Sequence, residues 1–298
     1  MRRHIHTGGS VRRLGVGDVI ICCVITLLAL GCLLPMLLVL NNSFATDAAI
    51  IKNGYSFFPR ETTMAAYKRL FARGSATMRG YRITVFVTLV GTLSAVLITY
   101  MCGYSLANPH VRYRNGIALF FFATTVFNSG LVPWYMICRA LHMYDNLWAL
   151  IIPGMLFSPF NMFLMRNFIR GIPTSLMESA YIDGAGDGRI AFQIYFPLAV
   201  PVVATIALFY ALDYWNNWFN AIMLLDNNAL YPLQMILYKI QSDANMLKKL
   251  SYVSKTETAP TEAYKMAAAI VTIGPIILLY PFLQRYFTKG LIVGAIKG

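Results

Sequence analysis

Six long apolar stretches constrain the fold of this 298-residue chain more than any other feature. A helix needs about twenty mainly apolar residues to cross the ~30 Å hydrocarbon core of a bilayer. The stretches of this length occupy residues 18–40, 81–107, 115–138, 144–166, 197–219 and 266–287. Only 12% of the residues are charged, whereas soluble domains carry about 25%. The sequence therefore predicts an all-α integral membrane protein with six transmembrane helices, in which a tail over 1–17 precedes a transmembrane domain over 18–298.

The charges that flank the first apolar stretch predict the orientation of the chain. Four arginines precede it, at positions 2, 3, 12 and 13, and no lysine or arginine follows it until Lys52. Because cytoplasmic flanks are enriched in Lys and Arg, the N-terminus is predicted to lie in the cytoplasm. Six crossings then place the C-terminus and the segment 167–196 in the cytoplasm and the loop 220–265 outside. The stretch 18–40 is too long for the ~7–15-residue core of a signal peptide, so we interpret it as a membrane helix.

The net charge of +13 has two interpretations. It could attract an acidic partner such as nucleic acid, anionic lipid or an anionic substrate, or it could reflect the basic residues that set membrane topology. The basic residues are scattered along the sequence, which favours topology and contact with membrane lipid over nucleic acid. The five cysteines and four histidines lack the spacing of metal ligands. No metal site is predicted.

The two outer loops differ in their patterns. Residues 61–79 place Tyr67, Leu70 and Phe71 at helical spacing, with basic residues on the other side. This pattern predicts a short amphipathic helix at the outer membrane interface. The later loop is polar and linker-like over 226–265.

The predicted cytoplasmic segment interrupts the apolar pattern with charges and glycines. Ser175 followed by Glu178 has the spacing of a capping box that starts a helix, and Gly184 can end that helix in the left-handed conformation. A second helical stretch over 189–195 leads to Pro197, which the first turn of the next membrane helix tolerates. A connection needs only about five residues. The greater length favours a docking helix over a simple connection.

The spacing within this segment resembles the Glu-Ala-Ala (EAA) motif of ABC importer permeases. The likeness is carried by Glu178-Ser179-Ala180, by Gly184, and by Ile194-x-Phe196-Pro197. The family pattern has Ala at the position of Ser179 and Leu at that of Phe196, and both departures are mild. The "DGAG" sequence beginning at Asp183 is similar to the carbohydrate-uptake branch, the maltose-type permeases for oligosaccharides and polysaccharides. Further similar segments are "SGLVPWYM", "LWALIIPGM", "FLMRNFIRGIP", "YWNNWFNA" and "YPLQMILYKI".

The resemblance implies the maltose-type permease fold and a place in a larger importer. Such a permease lies in the bacterial cytoplasmic (inner) membrane and pairs with a sister permease subunit. It receives sugar from an extracytoplasmic sugar-binding protein and works with two ATPase (nucleotide-binding) subunits, which contact the EAA segment as a coupling helix. The coupling residues implied in this chain are Glu178, Ser179, Ala180, Asp183, Gly184, Ala185, Gly186 and Pro197.

The sequence itself lacks the phosphate loop of an ATPase. No G-x-x-x-x-G-K-[ST] pattern occurs in it, and that pattern cradles nucleotide phosphates. We therefore expect a transport subunit with no enzymatic activity and no cofactor of its own, with ATP and Mg²⁺ bound by the partner subunits.

Polar residues at membrane depth are the candidates for a substrate path, because they are costly in hydrocarbon and often functional. Amides can bond sugar hydroxyls while aromatic rings cover sugar C–H groups. An aromatic belt at the bilayer surface is an equally open interpretation of Trp215 and Trp218. For Asn128 and Asn161, hydrogen bonds between helices are favoured. The candidates are Asn128, Asn161, Asp213, Tyr214, Trp215, Asn216, Asn217 and Asn220.

Two arginines raise the question of an acidic substrate. Arg79 and Arg82 stand at the predicted outer start of the second membrane helix. They could attract an acidic oligosaccharide such as alginate, and the smaller membrane subunit of an alginate importer has a similar appearance. The alternative is that both side chains snorkel to lipid headgroups.

Three other functions remain open at the level of sequence. An ABC permease for a non-sugar solute, such as a peptide or phosphate, would share the fold and the motif. An ion-coupled secondary transporter would need acidic residues in mid-membrane and paired broken helices, and only Asp213 comes close. A membrane-embedded enzyme would need clustered His, Asp or Glu at one depth, and the sequence shows no such cluster.

Overall fold

The computed structural model of this chain describes residues 16–127, 129–250 and 261–277. Within these residues the chain is helical, and its only extended pairing is an isolated bridge between Ala45 and Thr62. The predicted all-α class is confirmed. The helices are α1 Val16–Asn42, α2 Asp47–Asn53, α3 Ala65–Leu70, α4 Ala76–Ala107, α5 Arg114–Val126, α6 Leu131–Ala140, α7 Trp148–Ile151, α8 Pro159–Arg170, α9 Ser175–Ile182, α10 Asp187–Arg189, the π-helix Ile190–Tyr195, α11 Phe196–Trp215, α12 Phe219–Leu224, a 3₁₀ turn Asn228–Leu230, α13 Leu233–Leu250 and α14 over 262–277.

Three helices in the described part of the chain are individually long and apolar enough to cross a membrane. They are Gly17–Asn42, Ala76–Ala107 and Asp187–Trp215. Helices α5 and α6 together would make a fourth span, bent by 117° between them. The predicted last span, 266–287, is helical up to residue 277, and its remainder lies outside the described residues. The count of six helices and the cytoplasmic placement of both termini stay predictions.

The third and fourth apolar stretches are not continuous helices as predicted, because glycine and proline interrupt them. Stretch 115–138 is divided between α5 and α6, with Gly130 at a φ of 81° just before α6. Stretch 144–166 is divided between α7 and α8, with Gly154 at a φ of 72° between them. Pro159 then begins α8 at a position where a missing N–H is tolerated. Hydropathy remains high across these breaks, so the length of an apolar run does not reveal them.

Two glycines bring α4 close to its neighbours at the centre of the bundle. A Cβ atom on Gly91 would lie 2.5 Å from the ring of Tyr214 in α11. A Cβ atom on Gly103 would lie 2.6 Å from the side chain of Met165 in α8. Small residues allow close backbone approach where helix packing, rather than the hydrophobic effect, drives association in a membrane. Both positions therefore exclude any larger residue.

A buried polar network fixes the three central helices relative to one another. The Tyr210 hydroxyl of α11 accepts a hydrogen bond from the Ser158 N–H at 2.9 Å and pairs with the Thr99 hydroxyl of α4 at 2.7 Å. Ser158 is the residue before α8, whose own hydroxyl caps that helix. Hydrogen bonds in a low-dielectric interior are costly to leave unmade. This network therefore stabilises the register of α4, α8 and α11.

Helix α1 is separate from this packed centre. Its side chains are exposed from Gly17 to Leu37, and burial begins only towards Asn42 and Ser43. Its long apolar surface is therefore available to lipid or to another subunit.

Helix α3 is shorter than the amphipathic helix predicted over 61–79, and its Leu70 packs on protein. Leu70 is fully buried in a cluster with Ala267, Ala268 and Val271 of α14. The Arg69 guanidinium lies 5.1 Å from the centre of the Tyr264 ring. Leu70 thus contacts α14 whereas Phe71 stays exposed, and contact of this segment with the membrane interface stays a prediction.

The predicted outer loop 220–265 contains helices rather than only a linker. The Leu233 N–H at the start of α13 donates a hydrogen bond to the Thr84 hydroxyl of α4 at 2.8 Å. Trp218 stacks on Tyr238 of α13 with ring centres 5.0 Å apart. The first part of α13 is thereby held against the bundle.

Candidate functional site

The predicted cytoplasmic segment contains helix α9, but its start differs from the prediction. The residue before the helix is Thr174, with helical φ and ψ of −66° and −24° and no side-chain capping bond. Ser175 is the first helical residue, so the predicted capping box of Ser175 and Glu178 is wrong. A capping residue needs an extended backbone, and the turn after Pro173 is already helical.

The end of α9 matches the prediction. Gly184 has a φ of 76°, which is the left-handed region that favours glycine. The Gly184 N–H donates to the Tyr181 carbonyl at 3.0 Å, and the Ala185 N–H donates to the Ala180 carbonyl at 2.9 Å. These two bonds form a Schellman motif. Among the described residues, no atom beyond the two chain neighbours lies within 4 Å of a Cβ built on Gly184, so the backbone conformation, and not crowding by these residues, demands glycine.

Most of the predicted coupling residues lie on one exposed surface. Ala180 is buried in the chain's own core and Ala185 is half-buried, so neither methyl group is freely available to a partner. Ile182 is 87% exposed and adds a large apolar side chain to the surface. An exposed apolar group rimmed by polar residues is typical of a protein contact. We call this the coupling surface: Glu178, Ser179, Ile182, Asp183, Gly184 and Gly186, all of them exposed.

A hydrogen bond closes the turn that follows α9. The Tyr181 hydroxyl donates to the Asp187 carboxylate, and this bond raises the pKa of Tyr181. The chain is then helical without a break from Asp187 to Trp215. The coupling surface is thus joined to a spanning helix by one short turn.

A π-helical turn forms the start of that spanning helix. The carbonyl of Ala191 accepts a hydrogen bond from the Tyr100 hydroxyl of α4. Pro197 lies in the first turn of α11, as predicted. Single π-helical turns are rare and often lie at functional sites. The turn between the coupling surface and α11 is therefore anchored on α4.

A groove forms where the breaks in the predicted third, fourth and fifth membrane helices meet. Its volume is about 400 Å³. The rings of Trp134 and Phe219 in its wall have centres 6.1 Å apart. Aromatic faces with a few polar groups are common in small-molecule sites. The lining residues that matter here are Ser129, Trp134, Gly154, Met155, Phe219 and Asn220.

Two predicted aromatic substrate-path residues bond to their own chain. The Tyr214 hydroxyl donates to the Ile151 carbonyl at 2.9 Å, and Trp215 Nε1–H donates to the Thr272 carbonyl at 3.1 Å. Tyr214 is 1% exposed and Trp215 7%. Both side chains therefore hold α11 against its neighbours.

Two predicted amides have a similar role beside the groove. Asn217 Nδ2–H donates to the Leu150 carbonyl at 3.3 Å, and Asn220 Nδ2–H donates to the Pro153 carbonyl at 2.8 Å. The break after α7 leaves these carbonyls without helical partners, and such groups at membrane depth must be satisfied within the protein. The two amides therefore stabilise the wall of the groove.

The remaining substrate-path candidates differ in accessibility. Asp213 and Asn216 are exposed, and Asn216 Oδ1 accepts a hydrogen bond from Gln234 at 3.0 Å. Asn161 is buried in α8. Asn128 lies outside the described residues. Helix α11 ends at Trp215 rather than at the predicted residue 219, which leaves Asn216 near a helix end.

Replacing Asn217 with leucine is expected to destabilise the protein by about 1–3 kcal/mol, because the buried Leu150 carbonyl would lose its partner. The exposed neighbour provides the control: Asn216→Leu is expected to change stability by less than about 0.5 kcal/mol. The measurement is thermal unfolding of the purified chain in detergent. Equal losses in the two variants would contradict a supporting role for Asn217.

Sequence reasoning missed Trp134, Met155 and Phe219, which line the groove. The available signal was the pattern of chain breakers, since Gly130 and Gly154 interrupt apolar stretches near these residues. We interpreted each apolar stretch as a continuous helix, and this interpretation concealed the place where the breaks meet.

Broken apolar segments around a groove, together with an exposed helix joined to a spanning helix, define the class of membrane transport subunits. Residues 81–293 match the family described as the binding-protein-dependent transport system inner membrane component. The chain belongs to this family. It is a non-catalytic permease subunit of an ABC transporter, and the predicted family and inner-membrane localisation are confirmed.

The relatives and the solved structures agree with this assignment. The chain is 34% identical to the protein LplC of Bacillus subtilis (strain 168), over 99% of each chain. It is 33% identical to the polygalacturonan/rhamnogalacturonan transport system permease protein YtcP of the same organism, over 94% of this chain and 98% of that one. A chain in the crystal structure of a bacterial ABC transporter involved in import of the acidic polysaccharide alginate has a TM-score of 0.81 and 30% identity, covering 91% of this chain and 96% of that one. The ABC permease fold is thereby shown.

Proposed function

We propose that this chain is the membrane-spanning subunit of an ATP-driven importer for an acidic oligosaccharide. The observation that carries the proposal is its likeness to two polysaccharide transporters along nearly the whole chain. One is the permease named for polygalacturonan and rhamnogalacturonan, and the other is the importer of alginate. A sister permease, two ATPase subunits and an extracytoplasmic sugar-binding protein would complete the assembly.

The coupling surface is proposed to receive an ATPase subunit, which binds ATP and Mg²⁺. Its geometry supports this role, because Ile182 and the glycines face outward while Ala180 anchors α9 on its own chain. Movement of α9 would pass through the Tyr181–Asp187 bond and the π-helical turn to α11, where Pro197 stiffens the first turn.

Helix α11 provides a path from this surface to the groove. At about 1.5 Å per residue, the helix from Asp187 to Trp215 is long enough to cross the ~30 Å hydrocarbon core of a bilayer. Its far end carries Tyr214, which bonds to the Ile151 carbonyl near the groove. A tilt of α11 would therefore move the wall of the groove, and this is the proposed basis of alternating access.

Two features support an acidic sugar as the substrate. The groove combines the rings of Trp134 and Phe219 with polar groups, as a sugar site requires. Arg79 and Arg82 are exposed near the start of α4, and their guanidinium groups have no hydrogen-bond or salt-bridge partner among the described residues. Their charges would favour the approach of an anionic substrate.

The assembly is tested by tagging the chain, purifying it gently from its native membrane, and identifying the bound proteins by mass spectrometry. The expected result is a phosphate-loop ATPase and a second permease. Isolation of the chain alone, even after crosslinking through a cysteine placed at exposed Ser179, would contradict the proposed coupling.

The acidic substrate is tested with the purified transporter and its binding protein in liposomes. A uronic-acid oligomer is expected to stimulate ATP hydrolysis. The methyl ester of the same oligomer has the same length but no charge, and we expect it to stimulate hydrolysis at least about tenfold less. A tenfold difference corresponds to about 1.4 kcal/mol of binding free energy. Equal stimulation would favour a neutral sugar.

A further inference from the structure

A second cavity lies beneath the coupling helix, away from the groove. It has a volume of about 210 Å³ and lies between the end of α4, the start of α5, the end of α8 and helix α9. The proposed transport function assigns no role to it. The side chains in its wall that bear on a ligand are Tyr104, Asn108, Arg114, Arg170 and Thr174.

The arginines at the cavity form no ion pair with a described residue, although the carboxylates of Asp187 and Glu178 lie near the Tyr104 and Tyr195 side chains of its wall. Arg114 and Arg170 line it, and Arg166, which is 8% exposed, lies close enough to both for their charges to repel. None of the three has an acidic group within 4 Å among the residues that the structure describes. Arg114 donates to the Asn108 carbonyl at 3.1 Å, and Arg166 donates to the Leu106 carbonyl at 3.1 Å and to the Asn115 side-chain oxygen at 3.2 Å. The Arg170 guanidinium has no hydrogen-bond partner in the same residues. The guanidinium groups of Arg114 and Arg170, which line the cavity without a carboxylate partner, favour a bound anion.

A hydroxyl in the same wall also lacks a partner. Tyr104 is 7% exposed, and its buried hydroxyl makes no hydrogen bond to any described residue. Buried polar atoms are nearly always hydrogen-bonded in folded proteins. The hydroxyl has less than 1 Å² of accessible surface in the ligand-free cavity, so a bound anion would contact it once the Tyr104 side chain turns towards the cavity. The arginines point to an anion in this cavity, and the unpartnered hydroxyl beside them would gain an acceptor from it.

We propose that the cavity binds a phosphate group, either of an anionic phospholipid headgroup or of a free phosphate compound. Phosphate oxygens match the donors of Arg114 and Arg170, because guanidinium groups bind phosphate in a bidentate manner. The Thr174 hydroxyl supplies a further donor beside them. Basic pockets between membrane helices are known to bind anionic headgroups. Because Thr174 and Met177 belong to the wall, an occupied cavity would also hold α9 in place.

The proposal is tested by native mass spectrometry of the full chain in detergent, titrated with phosphatidylglycerol and, in a separate arm, with inorganic phosphate. Arg170→Gln is expected to weaken binding about tenfold. Arg73→Gln is the matched control, because Arg73 is also an exposed arginine but lies far from the cavity in the loop after α3. It is expected to leave binding unchanged. Equal weakening by both variants, or unchanged binding in Arg170→Gln, would overturn the proposal.

The two arms identify the source of the phosphate. Binding of phosphatidylglycerol that inorganic phosphate does not displace assigns the cavity to a lipid headgroup. Displacement of the lipid by inorganic phosphate assigns it to a free phosphate compound. Neither arm requires the ATPase or the sugar, so the result is separate from the test of transport.

A second variant tests the hydroxyl. Tyr104→Phe is expected to weaken phosphate binding severalfold without lowering the thermal stability of the ligand-free protein, because the hydroxyl has no hydrogen-bond partner to lose among the described residues. Wild-type affinity in Tyr104→Phe, or a loss of stability without ligand, would overturn its assignment to the site.

Discussion

Replacement of Gly184 with tryptophan is expected to abolish transport-coupled ATP hydrolysis in the assembled transporter while leaving the chain folded and inserted in the membrane. The φ of 76° at this position costs a non-glycine residue about 1–2 kcal/mol, which one turn at the protein surface can absorb. The indole would then project from the coupling surface, where the chain itself leaves open space. Substrate-stimulated ATP hydrolysis in liposomes, compared with the basal rate, measures the effect.

Two further variants separate the possible causes of this loss. Gly74→Trp is the matched control, because Gly74 also has a positive φ, of 81°, and no described residue beyond its chain neighbours lies within 4 Å of its Cβ position, but it lies in a different loop. Asparagine tolerates the left-handed conformation and has only a small side chain. The Gly184→Asn transporter is therefore expected to retain part of the substrate-stimulated ATP hydrolysis. Stimulated hydrolysis at the wild-type level in Gly184→Trp would refute the coupling role, as would an equal loss in Gly74→Trp.

Replacement of Gly91 with isoleucine is expected to produce the largest loss of stability, about 2–4 kcal/mol. Its Cβ would lie 2.5 Å from the Tyr214 ring, which is buried between α4 and α11. The ring would have to move, and the bond from its hydroxyl to the Ile151 carbonyl would be lost. Thermal unfolding of the purified chain in detergent measures the change.

The control for Gly91 is Gly31→Ile in α1. In the part of the chain that the structure describes, no atom outside the local helix backbone lies within 4 Å of a Cβ built on Gly31. Its unfolding midpoint is expected to stay within a degree or two of wild type, since surface changes usually stay within about 0.5 kcal/mol. Gly91→Ala combined with Tyr214→Leu should recover stability relative to Gly91→Ala alone, because residues in contact do not act additively. Similar losses at positions 31 and 91 would contradict close packing of α4 on α11.

These two glycines illustrate different kinds of sequence information. Gly184 was predictable, because a glycine that ends a short polar helix reflects the local backbone conformation, which neighbouring residues determine. Gly91 was not, because its requirement comes from Tyr214, more than a hundred positions away in the chain. The residues that neighbour Gly91 in the sequence do not reveal its contact with such a distant residue.

The same distinction applies to the polar residues near the end of α11. Their cost at membrane depth was evident from the sequence, and it correctly marked them as residues that need partners. Asn217 and Asn220 find those partners in the carbonyls of Leu150 and Pro153, which are free only because the fourth apolar stretch is broken. Apolar composition continues across that break, so hydropathy could not have predicted it.

Composition and local spacing by themselves determined that this chain is an α-helical membrane protein, that a polar helix precedes the helix containing Pro197, and that the helix ends at Gly184. These features depend on the transfer of side chains into hydrocarbon and on backbone conformation, both of which act over a few neighbouring residues. Only the tertiary structure decided where the spanning segments break, which amides support the groove and which face of α9 is exposed. Those features depend on contacts between residues far apart in the chain, and such contacts exist only once the helices have packed.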